Sequence, residues 1–479
     1  MPKFKTSTGT ITVNNWGYQL QGMNRPLDAT LLSQASHDLL VIDSTRDGTN
    51  ATRFSANDIT RMKDGMGGLS VVASYISIGE ASDFRDYWDP DWTTTGKASG
   101  RLTDLAPDWL GPLNPDWPES RKVRYWDDDW QNLMFNSKGT GDFDAIVKAG
   151  FDAAYLDIVD AYYFWGEEVA NSQRQPGDPK NEKQAAQRMV DFVVDMAEHA
   201  QETNPDFFMI PQNGAWIIDA LKTGTIDKTR IEAYRDAIGA IAIEDLYFRG
   251  GKDENNVLRP DEATIRVLKR DFLDQGIPVF VVDYINDPKK VARFEKLALE
   301  DGFIPFAAPD RELNQLTETH DGDPAYIRPD KHANQLRGSM LRDEIDGLGG
   351  NDHIDGRGGN DWLAGGEGKD VLTGGSGRDT FHFAEIEMMP AFDTVKDFTH
   401  AVDRITLDRD GFLSLPKGVL DRDSFVIAHS ATNSDEHIIY NPGTGYLSYD
   451  EDGKGGRDDQ LIAKLVPGTT LTATDIWVV

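Results

Sequence analysis

The chain has no cysteine among its 479 residues. Disulfide staples and thiolate metal sites are therefore excluded, and the absence suits a chain that stays unlinked during export. Positive charge is also scarce. Lys and Arg number 49 against 81 Asp and Glu, a formal net charge of −32 at pH 7. No basic patch is present to neutralise phosphates, so nucleic acid is not an expected partner, whereas a polycationic ligand benefits from such a field. No window is long and apolar enough for a membrane span. The opening residues, MPKFKTSTGTITVNN, lack the apolar stretch of a cleavable signal peptide. Several catalytic signatures are missing too: HExxH, a P-loop and GxSxG are absent, and the nine His lack metal-ligand spacing. Gly65-Met-Gly67-Gly68 precedes an apolar run instead of following one, which argues against a dinucleotide-binding turn.

What the chain does have is a repeat. Nine-residue steps start at Gly338, Gly347, Gly356, Gly365 and Gly374. The sixth position is always Asp (Asp343, Asp352, Asp361, Asp370, Asp379), and the eighth is always apolar (Ile345, Ile354, Leu363, Leu372, Phe381). The fourth is Gly after the first step: Gly350, Gly359, Gly368 and Gly377. Glycines permit left-handed turns and leave carbonyl oxygens free to approach an ion, and Asp adds a hard anionic oxygen suited to Ca²⁺. The candidate ligand set is Asp352, Asp361, Asp370 and Asp379, with the turn residues Gly347, Gly349, Gly350, Gly356, Gly358, Gly359, Gly365, Gly368, Gly374 and Gly377. The first step, GSMLRDEID, is degenerate and reads as a cap. The apolar eighth positions form an inward ladder once the turns stack. Without metal, rows of carboxylates repel and Gly-rich loops stay disordered, so binding several structural Ca²⁺ ions is coupled to folding.

This pattern resembles the calcium-binding nonapeptide of RTX proteins, a parallel β-roll. The final residues, Asp475-Ile-Trp-Val-Val479, resemble the uncleaved C-terminal signal of type I secretion substrates. Together they imply export through type I secretion machinery to the extracellular space, without a cleavable N-terminal signal. Calcium-driven folding then follows export, because extracellular modules bind at roughly 10⁻⁴–10⁻³ M.

Ahead of the repeats the pattern is alternating β and α. Apolar runs at Trp16–Gly22, Leu39–Ser44, Ser70–Ile78, Ala153–Val159, Phe207–Gln212, Ala240–Tyr247, Pro278–Tyr284 and Phe303–Ala307 read as buried parallel strands. Helices are expected at Glu182–Gln201, Glu262–Gln275 and Pro288–Leu299. Eight such units predict an α/β fold, a (β/α)₈ TIM barrel, with a doubly wound sheet as the structural alternative. The expected division is a barrel over residues 1–311, a polar linker over 312–334, calcium-binding turns over 335–383 and a β-rich end carrying the export signal over 384–479. Strands are expected there at Thr394–Phe398, Arg404–Leu407, Phe425–Ile427, His437–Tyr440 and Tyr446–Tyr449, with Asp450-Glu-Asp-Gly as a hairpin turn. Nothing in the pattern specifies an oligomeric state.

On a barrel, chemistry gathers at the strand C-terminal ends, and here those ends are acidic: Asp43, Glu80, Asp157, Asp160, Glu244, Asp245 and Asp283. Opposed carboxyl groups are what glycoside hydrolysis needs, one protonating the leaving oxygen and the other attacking or activating water. Arg pairing and helix capping are the structural alternatives for such residues. The long connection Asp83–Ala149 is rich in Trp (Trp88, Trp92, Trp109, Trp117, Trp126, Trp130), which suits either stacking on sugars or loop packing.

WGYQLQG (Trp16–Gly22), SYISIGEASDFRDYW (Ser74–Trp88), RYWDDDWQ (Arg124–Gln131) and GFDAAYLDIVDAY (Gly150–Tyr162) resemble segments of glycoside hydrolase family 114, over about residues 11–310. Those enzymes are endo-α-1,4-polygalactosaminidases and relatives built on a (β/α)₈ barrel. The resemblance implies cleavage of an α-1,4-linked galactosamine-rich exopolysaccharide. It also implies a catalytic pair of an Asp ending the fourth strand and a Glu ending the sixth. These fall on Asp157, as nucleophile or base, and on Glu244, as general acid/base, with Asp245 adjacent to the second. Asp43, Glu80, Asp160, Asp283, Tyr155 and Trp16 are the candidate substrate-binding residues. A non-catalytic polysaccharide-binding or matrix protein, or a hydrolase of another polysaccharide, is the competing reading.

Overall fold

The computed structural model describes the chain except residues 23–25, 67, 324, 328, 339–341, 385–391 and 454–458. Gly67 and the centre of the first nine-residue step thus lie outside the described residues. The chain divides into two compact units. One comprises Met1–Leu32, Ser36–Lys63 and Leu69–Ala325, and the other Ser33–Ala35, Asp64–Gly68 and Tyr326–Val479.

In the first unit each of the eight apolar runs is a strand: β1 (Trp16–Gln19), β2 (Leu39–Asp43), β3 (Val71–Ser77), β4 (Ala153–Asp157), β5 (Phe208–Pro211), β6 (Ile241–Glu244), β7 (Val279–Tyr284) and β8 (Ile304–Ala308). All are parallel, in two hydrogen-bonded ladders of order β5-β4-β3-β2-β1 and β6-β7-β8. Isolated parallel bridges join Met209 to Ile238 and Gln212 to Ala242. The Trp16 indole N–H donates to the Ile304 carbonyl at 3.0 Å, a side chain occupying the place of a ladder bond between β1 and β8.

Alternation along the strands separates two apolar populations. Ile42, Val72, Ala154, Leu156, Met209, Ile243, Val279 and Val281 belong to the main core, which they share with helix residues. The alternate positions carry aromatic rings that pack on one another. Trp16 lies 6.3 Å from Tyr155, 5.3 Å from Phe280 and 5.6 Å from Phe306. Strands buried on both faces explain why the runs read as continuous apolar stretches.

The helices between strands are α1 (Ala56–Lys63), α2 (Asp142–Ala149), α3 (Glu182–Gln201), α4 (Lys228–Ala237), α5 (Glu262–Asp271) and α6 (Pro288–Glu300). Their starts are written as polar caps: the side chains of Asn181, Asp227, Asp261 and Asp287 each accept a first-turn N–H. The expected helix to Gln275 stops at Asp271 and finishes as a 3₁₀ turn, Leu273–Gln275. The Trp-rich connection holds structure that its composition hides: strands Leu110–Leu113 and Ser120–Val123, helix Asp128–Met134, and α2. Its tryptophans form a chain of ring contacts, Trp88–Trp92, Trp92–Trp109 and Trp109–Trp130, at 5.4, 5.2 and 5.0 Å. Trp88, Trp109 and Trp130 are buried, so these rings pack the connection itself and offer no sugar platform, while Trp117 is exposed.

The second unit is a stack of short parallel strands in two sheets. Gln335–Arg337, His353–Asp355, Val371–Thr373 and Asp393–Val395 follow one another in the larger sheet. Glu344–Asp346, Trp362–Ala364, Thr380–Phe383 and Arg404–Leu407 follow in the other. Ile345, Ile354, Leu363, Leu372, Phe381 and Ile405 are buried between them as the expected ladder. Beyond the repeats, Ile438–Asn441, Tyr446–Tyr449 and Gln460–Lys464 form an antiparallel meander, and Ile476–Val478 pairs with Arg404–Leu407. Among the described residues no helix is long and apolar enough to cross a membrane.

Candidate active site and metal-binding turns

Asp157 closes β4 and Glu244 closes β6, at the same end of the parallel strands. One strand lies between them, so their backbones are about 10 Å apart, two strand spacings. Each carboxylate is gripped by a tyrosine from an adjoining strand. The Tyr75 hydroxyl donates to Asp157 Oδ2 at 2.7 Å, and the Ile158 N–H donates to Oδ1 at 2.8 Å. The Tyr284 hydroxyl donates to Glu244 Oε2 at 2.7 Å, and Asn213 Nδ2 to Oε1 at 2.7 Å. Asn213 also accepts the Glu244 N–H, at 3.2 Å. Two residues below Asp157, Tyr155 is fully buried and its hydroxyl has no hydrogen-bond partner. Burial first, then the charges of Glu244 and Asp157, raise that hydroxyl well above its ordinary value.

Burial pushes the Asp157 carboxyl up to about 7; the Tyr75 hydrogen bond opposes it and the charge on Glu244 adds to it. Asp160 opens to solvent on one side, yet burial on its others pushes it up to about 6 against the attraction of Lys122, with Glu244 and Glu80 adding repulsion. Asp157, Asp160, Glu80 and Glu244 thus share one electrostatic neighbourhood.

The remaining candidates do other work. Glu80 is held by Lys122 and by Asn114 Nδ2 at 2.8 Å. Asp43 is paired with Arg85 at 2.5 Å and accepts both the N–H and the hydroxyl of Thr45, so it fixes loops. Asp283 is not brought to the site. It is one residue out of phase with Tyr284, fully buried, and accepts the N–H groups of Leu246, Tyr247 and Phe248. Burial, opposed by those bonds, pushes it up to about 7. Trp16 is buried in the ring stack and faces no cleft. Asp245 is drawn away from Glu244 by an ion pair with Arg311, whose guanidinium lies 4.1 Å over the Tyr284 ring.

Tyr75, Tyr284 and Asn213 are the residues that motif reading misses. Their signal was strand parity: Tyr75 pairs with Tyr155 in register, two before the Ser77–Asp157 pair. The backbone is also unusual here. Ile158, Asn213 and Asp245, each just past a strand end, have φ of 60°, 61° and 51°. A β-branched residue in that region is an outlier, and such strain gathers at functional sites. Gly79 lies against this bend: a Cβ there would sit 2.3 Å from the Ile158 carbonyl oxygen.

The nine-residue turns hold a second kind of site. Asn334 donates its N–H to Asp352 Oδ1, Asp352 to Asp370, and Asp370 to Asp393, at 2.7–2.9 Å. A parallel series runs from Asp343 to Asp361, Asp379 and Asp403. The other oxygen, Oδ2, of Asp352, Asp370 and Asp379 is buried without a hydrogen-bond partner. A Cβ on Gly347 would lie 2.4 Å from both Asp352 Oδ2 and the Gly365 carbonyl oxygen. A buried anionic oxygen facing a carbonyl in a space only glycine leaves open fits a hard cation. Among the described residues no three Asp, Glu or His side chains converge on one point, so the carbonyls are needed as ligands.

A sequence model of the RTX calcium-binding nonapeptide repeat matches residues 342–382 in four copies, and one of glycoside-hydrolase family GH114 matches residues 2–324. An uncharacterized protein of Methanocaldococcus jannaschii is 32% identical over 311 residues, 63% of this chain and 77% of its own length. Another, from Thermotoga maritima, is 30% identical over 313 residues, 63% of this chain and 83% of its own. Among solved structures, a variant of the glycoside hydrolase domain of PelA from Pseudomonas aeruginosa aligns with 64% of this chain and 98% of its own, at 16% identity and a TM-score of 0.41. The α/β unit with its strand-end carboxylates, followed by calcium-binding turns, places the chain: it belongs to glycoside hydrolase family GH114 and carries an RTX calcium-binding repeat region.

Proposed function

We propose that the first unit is a closed (β/α)₈ barrel that hydrolyses an α-1,4-linked, galactosamine-rich exopolysaccharide with Asp157 and Glu244. The observation that carries the reading is the matched pair of carboxylates at strand ends, each oriented by a tyrosine hydroxyl. Ring contacts joining β1, β4, β7 and β8 support closure, because they draw strands of both ladders around one interior.

Asp157 acts as nucleophile or base, and must be ionised to do so; Tyr75 and the Ile158 amide hold its oxygens in place. Glu244 delivers the proton to the leaving oxygen. The charge on Glu244 is among the causes that raise Asp157, so the two carboxyls act on one another across the site. A de-N-acetylated hexosamine lacks the acetamido oxygen of substrate-assisted cleavage, so both carboxyls come from the protein. Its ammonium groups are attracted by Asp160, which faces the solvent side of the same neighbourhood. The chain is exported through type I secretion machinery and folds its repeats outside the cell. Calcium, when bound, neutralises the stacked carboxylates.

The test is reducing-end release from a panel of polysaccharides by the wild type, Asp157→Asn and Glu244→Gln, all folded at saturating calcium. Activity confined to galactosamine-containing polymers and lost in both variants supports the reading; retention of activity in both variants removes it.

A further inference from the structure

We infer that the calcium ladder runs past the last nonapeptide, and that the turn from Asp397 to Asp403 completes a further divalent-cation site against Gly374–Asp379. Within the repeats, the first glycine of a turn faces its own Asp and the first-glycine carbonyl of the turn 18 residues on. Around Gly356 these are Asp361 Oδ2 and the Gly374 carbonyl oxygen, 2.6 and 2.8 Å from an added Cβ. Around Gly374, as around Gly365, the three nearest atoms all belong to the turn's own Asp, here Asp379, the closest being Oδ2 at 2.5 Å.

Asp397 meets the same glycine from its amide side. Its Oδ1 accepts the N–H of Gly374 at 2.9 Å and its Oδ2 that of Gly375 at 2.7 Å. In a regular turn the corresponding glycine N–H, that of Gly356, goes to a strand carbonyl, Thr373 O. Asp403 acts as the next rung, accepting the Asp379 N–H at 3.0 Å through Oδ1 and the Thr399 N–H at 2.7 Å through Oδ2. Asp379 is 1% exposed and its Oδ2 has no hydrogen-bond partner. Two carboxylates therefore meet at Gly374, one with a buried unused oxygen and the other with a spare lone pair on each oxygen. In this reading Asp379 and Asp397 are direct ligands, and Asp403 positions Asp379. A second carboxylate raises the ligand charge, the lever that tunes calcium affinity. Neither residue is reachable from the repeat motif, which ends at His382.

Equilibrium dialysis of the full chain against about 10⁻³ M free Ca²⁺, the upper range of extracellular modules, followed by metal analysis, decides the matter. Apart from the degenerate first step, the nonapeptide turns stack in two pairs, starting at 347 with 365 and at 356 with 374. The expected wild-type count exceeds two, and Asp397→Asn binds one ion fewer. Asp410→Asn, an exposed carboxylate elsewhere in this unit, keeps the wild-type count. Far-ultraviolet circular dichroism at saturating calcium checks folding, with Asp397→Ser in reserve. An Asp397→Asn protein with an unchanged count and unchanged affinity overturns the inference, as does a wild-type count of two or fewer whether or not either variant folds.

Discussion

Replacing Tyr75 by Phe should move the acid limb of the rate profile without unfolding the protein. The hydroxyl makes a 2.7 Å hydrogen bond to Asp157 Oδ2, and that bond holds the carboxyl down against burial, which has pushed it up to about 7. A hydrogen bond to a charged group contributes about 1.5–3 kcal/mol. At 1.36 kcal/mol per pKa unit, its loss raises Asp157 by about 1–2 units, to about 8–9. If attack requires the anion, the ionised fraction at pH 7 falls from about a half to between about a tenth and a hundredth, so activity falls roughly 5- to 50-fold. Displacement of the acid limb to higher pH is the diagnostic part, since a packing defect lowers the rate without moving the limb. The assay is kcat/KM against pH, which reports the free enzyme's groups. A limb that stays in place, or a loss equal at every pH, refutes both the role of Tyr75 and the need for an ionised Asp157.

Asp157→Asn and Glu244→Gln should each lower kcat by about three orders of magnitude or more. The folded pKa of Asp157 lies above its unfolded value, so its contribution to stability is full below about pH 4 and is lost as pH rises through about 7. The Asn variant should therefore gain in Tm relative to wild type between pH 5 and pH 8, and a constant difference would count against a buried, raised carboxyl. Chelating calcium should abolish the β-signal of the repeat unit in circular dichroism, and at saturating calcium Leu372→Ala, fully buried in the ladder, should cost about 2–5 kcal/mol in denaturant unfolding. Trp109→Ala should destabilise by about 3–5 kcal/mol with KM nearly unchanged; a large KM effect on a stable protein would restore the sugar-platform reading. Raising salt from 0.05 to about 0.5 M should raise KM for a cationic polymer, because screening shortens the reach of Asp160 and its neighbours.

The strands were legible because β2, β3, β4 and β7 are buried on both faces and so read as unbroken apolar runs, and the helix starts because Asn181, Asp227, Asp261 and Asp287 are capping types in capping places. Asp157 and Glu244 were visible as acids at strand ends. What holds them was not, since Tyr75 and Tyr284 look like ordinary strand residues until register brings their hydroxyls to a neighbour's carboxylate. Asp283 shows the opposite error: it ends a strand as the others do, but one step of alternation turns it to the far face. The tryptophans of the long connection misled for a related reason, because ring–ring packing inside a loop has no spacing rule to betray it. Continuity of the two hydrogen-bonded ladders is likewise invisible in a list of apolar runs, since it depends on which strand ends exchange backbone bonds.

The paired series of aspartates has a built-in polarity. Asp343, Asp352, Asp361, Asp370 and Asp379 each hand their amide hydrogen to a carboxylate later in the chain. Asp393 and Asp403 are therefore the seed on which the preceding rungs are templated, and clipping the protein just after the fifth repeat strands the amides of Asp370 and Asp379. Damage at that end propagates upward through the stack, whereas a lesion near Gln335 removes only the topmost layer.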